Sequence, residues 1–305
     1  MVFGLFGSKR ELNHFILITL DSCRYDSFMA AQPRTIPKLV GGLDRVEKRY
    51  SYASWTAPSH YNLLTGLMPH SSPANVYASE YYKEDFLRYR DRLGVKDVEF
   101  KSMVPQLWLP KYLKGKGFET NAMVSLPVLN PATGVNKDFD TFKLMPKHND
   151  MLAMLDEMEA HMKSRPSKGL KGDTPQFYLL NVGETHYPYA LPDEPRGLWP
   201  QISGVNGVFK KLDEQVKDGE LVSDNESGEF FDQDKLDQLR ARQINTVKYL
   251  DEKVFPRLYD MVPKGTWITV TADHGELFGE MGYFGHGPIL HDKCLEVPFL
   301  EGLVR

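Results

Sequence analysis

Apolar positions along the chain fall into two periodicities, and the breaks between them place most of the elements. His14-Phe15-Ile16-Leu17-Ile18-Thr19-Leu20 is a continuous apolar run of strand length that stops at Asp21. Gln176-Phe177-Tyr178-Leu179-Leu180-Asn181-Val182 and Trp267-Ile268-Thr269-Val270-Thr271-Ala272 are runs of the same kind, stopping at Gly183 and at Asp273. Unbroken runs predict strands covered on both faces, as in a mostly parallel sheet with helices on either side. Further strands are predicted over 118–124, around 49–53 and at Glu296-Val297-Pro298-Phe299-Leu300. Helical spacing predicts helices over 36–43, from Thr56 through Leu64 to a stop at Gly66, and over 107–114, 149–163 and 239–259. In the helix over 149–163, Met151, Met154, Leu155 and Met158 share one side, and core packing explains that stripe better than a binding groove.

The alternation of strands and helices predicts an α/β fold, one extended domain over 1–305. At 305 residues the chain can bury a large core, and no repeat or linker divides it. Two stretches depart from the pattern and read as insertions, one near 71–104, rich in tyrosine and charge, and one near 190–237, whose later part is acidic and contains glycine. A net charge of −4 leaves no broad cationic footprint, which argues against a nucleic-acid partner, so an anionic substrate must be drawn by a local centre. Cys23 and Cys294 are too few for a disulfide framework and sit beside strand-like sequence, which predicts two buried reduced thiols. No segment reaches the roughly 20 apolar residues of a membrane span. The charges at Lys9 and Arg10 follow a short apolar patch, the reverse of a secretory signal, and predict a cytoplasmic protein whose residues 1–8 make at most weak contact with a membrane or partner.

The candidate chemistry gathers where the apolar runs stop. Asp273-His274-Gly275-Glu276 puts a carboxylate and an imidazole at the carboxyl end of a buried strand, where open α/β sheets place their sites. Asp21 stands at the end of the first run, open to a ligand role or to capping the helix that follows. Thr56 opens a helix, in Thr56-Ala57-Pro58-Ser59-His60, and there both a capping and a nucleophilic role stay open. His186 lies just past a strand in His186-Tyr187-Pro188-Tyr189, placed for substrate, whereas Glu184 is a weaker candidate open to simple solvation, and Arg24 with Asp26 reads as a local ion pair.

As a set, Ile18-Thr19-Leu20-Asp21-Ser22-Cys23-Arg24-Tyr25-Asp26, Thr56-Ala57-Pro58-Ser59-His60 with Leu64-Thr65-Gly66, His186-Tyr187-Pro188-Tyr189 and Asp273-His274-Gly275-Glu276 through His286-Gly287 resemble the alkaline phosphatase superfamily, in particular its sulfatase-like and phosphoethanolamine-transferase-like branches. That resemblance implies a three-layer α/β sandwich around a central, mostly parallel sheet, with most of the smaller C-terminal subdomain lacking. It also implies one divalent metal held by Asp21, Thr56, Asp273 and His274, with Thr56 attacking. Mixed oxygen and imidazole donors suit zinc or manganese, with calcium or magnesium as alternatives, and a second metal is left open. By the same resemblance His186 and His286 meet the substrate's anionic oxygens or support that second metal, and His60 stands where sulfatases carry a substrate-binding arginine.

Thr56 departs from the sulfatase pattern, since threonine cannot be oxidised to the formylglycine aldehyde. Ser22 replaces an aspartate of the calcium-type site. The expected activity is therefore metal-dependent hydrolysis of phosphate mono- or diesters through a phosphothreonine, acting on a small anionic ester. Phosphoryl transfer to an alcohol and sulfatase-like ester cleavage are the alternatives within catalysis. A silent binding or scaffold protein that keeps its metal is the alternative outside it. The sequence leaves the oligomeric state open.

Overall fold

Side chains of the first strand, β1 (Phe15–Leu20), divide by parity: Ile16, Ile18 and Leu20 enter one apolar cluster, Phe15 and Leu17 another. A strand with apolar groups on both faces must be covered on both, and the two clusters are the two inter-layer cores. The structure is a computed structural model that describes residues 12–71, 85, 87–96, 108–164, 174–200, 216–217, 220–221, 233–287 and 289–305. The other main-sheet strands are β2 (Glu47–Tyr50), β3 (Glu119–Val124), β4 (Thr141–Leu144), β5 (Gln176–Val182), β6 (Trp267–Thr271) and β7 (Glu296–Leu303). They lie in the order β2-β7-β6-β1-β5-β3-β4. β6, β1, β5, β3 and β4 run parallel, while β7 is antiparallel to both β6 and β2.

On one face pack α4 (Met151–Lys163), α5 (Gln233–Tyr249) and α6 (Phe255–Met261), through Met151, Met154, Leu155, Met158, Val247, Phe255 and Leu258. On the other pack α2 (Thr56–Leu64) and α3 (Leu109–Gly115), through Leu63, Leu64, Leu109 and Leu113. A short α1 (Tyr25–Ala30) follows β1. The chain is thus mixed α/β with a large, mostly parallel central sheet between helical layers.

Several elements differ from the sequence pattern for identifiable reasons. The helix expected over 36–43 is two 3₁₀ turns, Ile36–Leu39 and Leu43–Arg45, because Gly41 and Gly42 take φ of 92° and 154° between them. The helix expected over 239–259 begins at Gln233 and passes through a π turn at Leu250–Val254, just before Pro256, which has no amide hydrogen to continue the ladder. That turn buries Asp251, whose carboxylate accepts hydrogen bonds from the backbone amides of Arg34, Thr35 and Ile36 at 2.8, 2.7 and 2.7 Å. The strand expected over 49–53 ends at Tyr50, and β4, a half-polar edge strand, has no apolar run to announce it. The insertions expected near 71–104 and 190–237 lie for the most part outside the described residues. Cys23 and Cys294 are buried free thiols. Burial pushes both upward in pKa, Cys294 to about 12, so neither is a thiolate at neutral pH.

Candidate metal and nucleophile site

β6, β1 and β5 are neighbours and parallel, so their carboxyl ends open on one edge of the sheet. β1 delivers Asp21, β6 delivers Asp273 and His274 after Ala272, and β5 leads through Gly183 to His186. Thr56 arrives separately, as the first residue of α2, whose N-cap is the extended Trp55. Its hydroxyl turns away from the helix backbone and toward the His274 ring, 3.2 Å from Nε2.

Ligand atoms of Asp21, Asp273 and His274 all lie within 4.8 Å of one another. His274 Nε2 is 3.2 Å from Thr56 Oγ1, 3.4 Å from Asp273 Oδ2 and 3.9 Å from Asp21 Oδ1. The other nitrogen of His274, Nδ1, lies 2.8 Å from the Gly275 carbonyl. A carbonyl oxygen only accepts, so Nδ1 carries the hydrogen and Nε2 presents its lone pair to the cluster. Asp273 Oδ1 accepts from the amides of Ser22 and His274 at 3.1 and 3.0 Å, whereas the buried Oδ2 has no hydrogen-bond partner. Asp21 Oδ2 accepts from Asn181 Nδ2 at 2.7 Å and Oδ1 from the Ser22 hydroxyl at 3.2 Å.

Asp21 and Asp273 are 0 % and 1 % exposed. Burial presses the pKa of Asp21 upward, but His186, His274 and His60 and the Asn181 amide outweigh it and hold it below the usual carboxylate range. Asp273 goes the other way, pushed far up by burial and then by the charge on Asp21. Burial, followed by His286, keeps the His274 imidazole well below its ordinary pKa and therefore neutral. Two adjacent buried carboxylates, an orphaned carboxylate oxygen and an inward imidazole lone pair together fit a divalent cation, which supplies the positive charge and the partner they lack.

His286 and His186 stand around this cluster. The His286 ring is 4.3 Å from that of His274 and 5.4 Å from that of His186, centroid to centroid. His286 Nδ1 pairs with Glu276 Oε1 at 2.7 Å, and the Tyr189 hydroxyl donates to Glu276 Oε2 at 2.7 Å. His186 Nδ1 donates to the Tyr187 carbonyl at 2.8 Å, leaving Nε2 for a ligand. His60 is fully buried: Nδ1 donates to the Thr56 carbonyl at 2.8 Å, and Nε2 lies 3.2 Å from the Thr19 hydroxyl. Nδ1 also lies 3.5 Å from Asp273 Oδ2, so both of its nitrogens meet protein groups.

Gly275 is required by close approach rather than by an unusual φ: a Cβ there would sit 2.0 Å from the Lys293 carbonyl. Arg24 pairs with Asp26 at 2.6 Å and also, at 2.6 Å, with Glu280. Asn181, Glu276 and Tyr189 orient the site without having been assigned roles from sequence. For Asn181 a signal existed, a carboxamide inside an otherwise apolar, fully buried strand, where an amide needs dedicated partners. Its Oδ1 accepts from the amides of Ser125 and Leu126 at 3.1 and 3.3 Å while its Nδ2 serves Asp21.

Glu184 is fully buried instead of solvated, its Oε1 accepting from the Met151 amide at 2.7 Å and its Oε2 unpaired. Burial pushes its pKa up to about 7 from 4.5. The folded state therefore holds a proton that the unfolded chain releases above pH 4.5, so stability falls as pH rises from 4.5 to about 7 and levels off beyond. Glu184→Gln is expected to melt higher than the wild type at pH 8, by on the order of 3 kcal/mol at most. At pH 4 the two proteins should melt together, and thermal melts at both pH values check this.

A family profile described as Sulfatase matches residues 13–300. No curated protein sequence matches the chain. Among solved structures, the C-terminal periplasmic domain of phosphoethanolamine transferase EptC from Campylobacter jejuni is similar at TM-score 0.52 and 14% identity, covering 96% of this chain and 80% of that one. The corresponding EptC domain from Escherichia coli, in complex with Zn, is similar at TM-score 0.56 and 11% identity, covering 98% and 74%. A 2-O GAG sulfatase is similar at TM-score 0.55 and 13% identity, covering 96% and 64%. At such identities the likeness establishes the fold. The cytoplasmic placement expected from residues 1–10 is contradicted by these likenesses, since the EptC structures are periplasmic domains of their own proteins. The order of charges in that stretch was too weak a signal to carry a compartment. Among the described residues no helix is long and apolar enough to cross a membrane.

Proposed function

The chain belongs to the Sulfatase family, whose structural likenesses act on phosphate or sulfate esters, and from that premise we propose that it is a metal-dependent hydrolase of phosphate mono- or diesters with Thr56 as nucleophile. The observation that carries this reading is the Thr56 hydroxyl lying 3.2 Å from the His274 lone pair, beside a buried carboxylate oxygen that has no partner. Asp21, Asp273, His274 and Thr56 would hold the cation. Two carboxylates, one imidazole and one hydroxyl match zinc or manganese better than calcium, which takes six to eight oxygens. When bound, the ion favours the alkoxide form of threonine and screens the ester's negative charge.

The chain's own residues supply the rest. Thr56 gives up its proton to solvent and Oγ1 bonds to phosphorus as the ester's P–O bond breaks. Water then displaces Oγ1 to release phosphate and restore the hydroxyl. His60 holds the Thr56 backbone from behind, fixing where the first turn of α2 begins. Burial works against a charge on His286, but Glu276 outweighs it by charge and hydrogen bond and raises the pKa. The imidazolium so favoured is suited to protonate the departing alkoxide. Phosphorus is favoured over sulfur as the electrophile because threonine cannot form the formylglycine aldehyde.

Purified protein, assayed for bound metal and then on aryl phosphate, phosphodiester and sulfate esters, should contain one equivalent of a divalent transition metal and turn over a phosphate ester fastest. A metal-free protein inert on every ester after zinc or manganese is added would overturn the reading. Product that forms only in the presence of an alcohol acceptor would replace hydrolysis with transfer.

A further inference from the structure

A cleft of about 390 Å³ lies between residues 51–55, which lead into α2 and end one residue before Thr56, and the stretch around 290–295. Tyr52, Trp55, His70 and Leu290 line it, and among the described residues its lining holds no Asp, Glu, Lys or Arg. Trp55 immediately precedes Thr56 and is 44% exposed, and Leu290, four residues past His286, is 87% exposed. Large apolar side chains held out into solvent on both sides of one cleft are the usual mark of a ligand surface.

The cleft is built against the catalytic cluster. Ser51, on its wall, donates its hydroxyl to the Asp273 carbonyl, and the Ser51 amide donates to the Leu295 carbonyl at 2.8 Å. The Ser54 hydroxyl donates to the Gly287 carbonyl, and the Gly287 amide returns a bond to the Ser54 carbonyl at 3.3 Å. Both walls are thus tied to each other and to the segments carrying Asp273 and His286. His70 is packed 4.9 Å from the Tyr52 ring and 5.7 Å from the Tyr50 ring, and a reciprocal backbone pair with Tyr50 at 2.8 and 2.9 Å holds it there. Burial and the nearby Arg49 lower its pKa, keeping the ring uncharged.

Given the hydrolase reading above, on which this rests, we propose that this cleft is the subsite for the ester's organic group and that it selects a flat, uncharged, apolar group over a short or charged one. The division of labour follows from the chemistry. Anionic oxygens belong with the cation site and His286, and an uncharged group has nothing to gain there. Aromatic faces and an aliphatic side chain in a cleft without formal charge reward a planar apolar group and penalise a charged one, which would lose its hydration without a partner.

Binding of 2-naphthol to the full chain, measured by calorimetry, tests the cleft without requiring turnover. Trp55→Ala and Leu290→Ser should each weaken binding about fivefold or more. Leu290 is so exposed that its replacement cannot unfold the protein, which keeps the test decisive even if Trp55→Ala folds poorly. The ratio of kcat/KM for naphthyl phosphate over ethyl phosphate should fall in Leu290→Ser by a similar factor. Wild-type protein that ignores 2-naphthol, or a Leu290→Ser variant with unchanged affinity and an unchanged ratio, would overturn the subsite. Naphthol binding that depends on Leu290 in a protein inert on every ester would support the cleft and overturn the hydrolase reading instead.

Discussion

Replacing Thr56 with alanine is expected to lower phosphate-ester turnover by roughly a thousandfold or more while leaving the fold and most of the bound metal in place. The size follows from its assigned role: without Oγ1 no phosphothreonine can form, and what remains is water attacking an ester that the other ligands still position. The fold should survive because the Thr56 hydroxyl bonds to the His274 ring and not to the helix backbone, and alanine is well tolerated in a first helical turn. Thr56→Ser should keep a measurable fraction of the rate, since it returns a hydroxyl to the same place. Steady-state kinetics with metal analysis of each variant checks both. Full turnover by the alanine variant would remove threonine from the mechanism.

Asp273→Asn is expected to reverse the response of the protein to chelation. Wild-type protein in the presence of its cation at a thousandfold excess over Kd is stabilised by about 4 kcal/mol, and a chelator takes that away. The asparagine variant keeps an Oδ1 for the amides of Ser22 and His274 but loses the charge at the position of Oδ2. Its melting temperature should therefore no longer respond to metal or chelator. In chelator at neutral pH it should also melt above the wild type. With the folded-state pKa of Asp273 raised by burial and by Asp21, the contribution of Asp273 to the metal-free wild type's stability is fully present below pH 3.8 and lost as pH rises, while the neutral amide has no such contribution to lose. Melts with and without chelator between pH 4 and 8 test this. A wild type that chelation leaves unchanged would remove the cation from the site.

Much of the fold was legible because burial on two faces leaves a mark in one dimension. β1, β5 and β6 are unbroken apolar runs, and each ends where a charged or glycine residue leaves the core, so strand, direction of exit and candidate ligand could be read together. The elements misread have local sequences that say little. β4 is a half-polar edge strand, and the 36–43 segment was turned into 3₁₀ by its glycines. The inward turn of Asp251 depends on the Arg34–Ile36 backbone more than 200 residues away, which no window of sequence contains.

For the site, residue type and position at a strand end or helix start drew attention to Asp21, Thr56, His186, Asp273 and His274, and the family resemblance added His286. The surroundings of each depend on neighbours brought in by the fold. Glu184 and His60 show why. Glu184 follows a strand as any solvated carboxylate does, yet α4 closes over it and its pKa rises. His60 sits four residues after Thr56 in a helix, and only the packing of α2 against β1 turns its ring toward Thr19 and away from solvent. Apolar periodicity is a local consequence of layers and needs only the chain's own order to be recognised. The pKa of Asp273, its unpaired Oδ2 and the cleft at Trp55 arise from groups hundreds of residues apart in sequence that meet only in three dimensions.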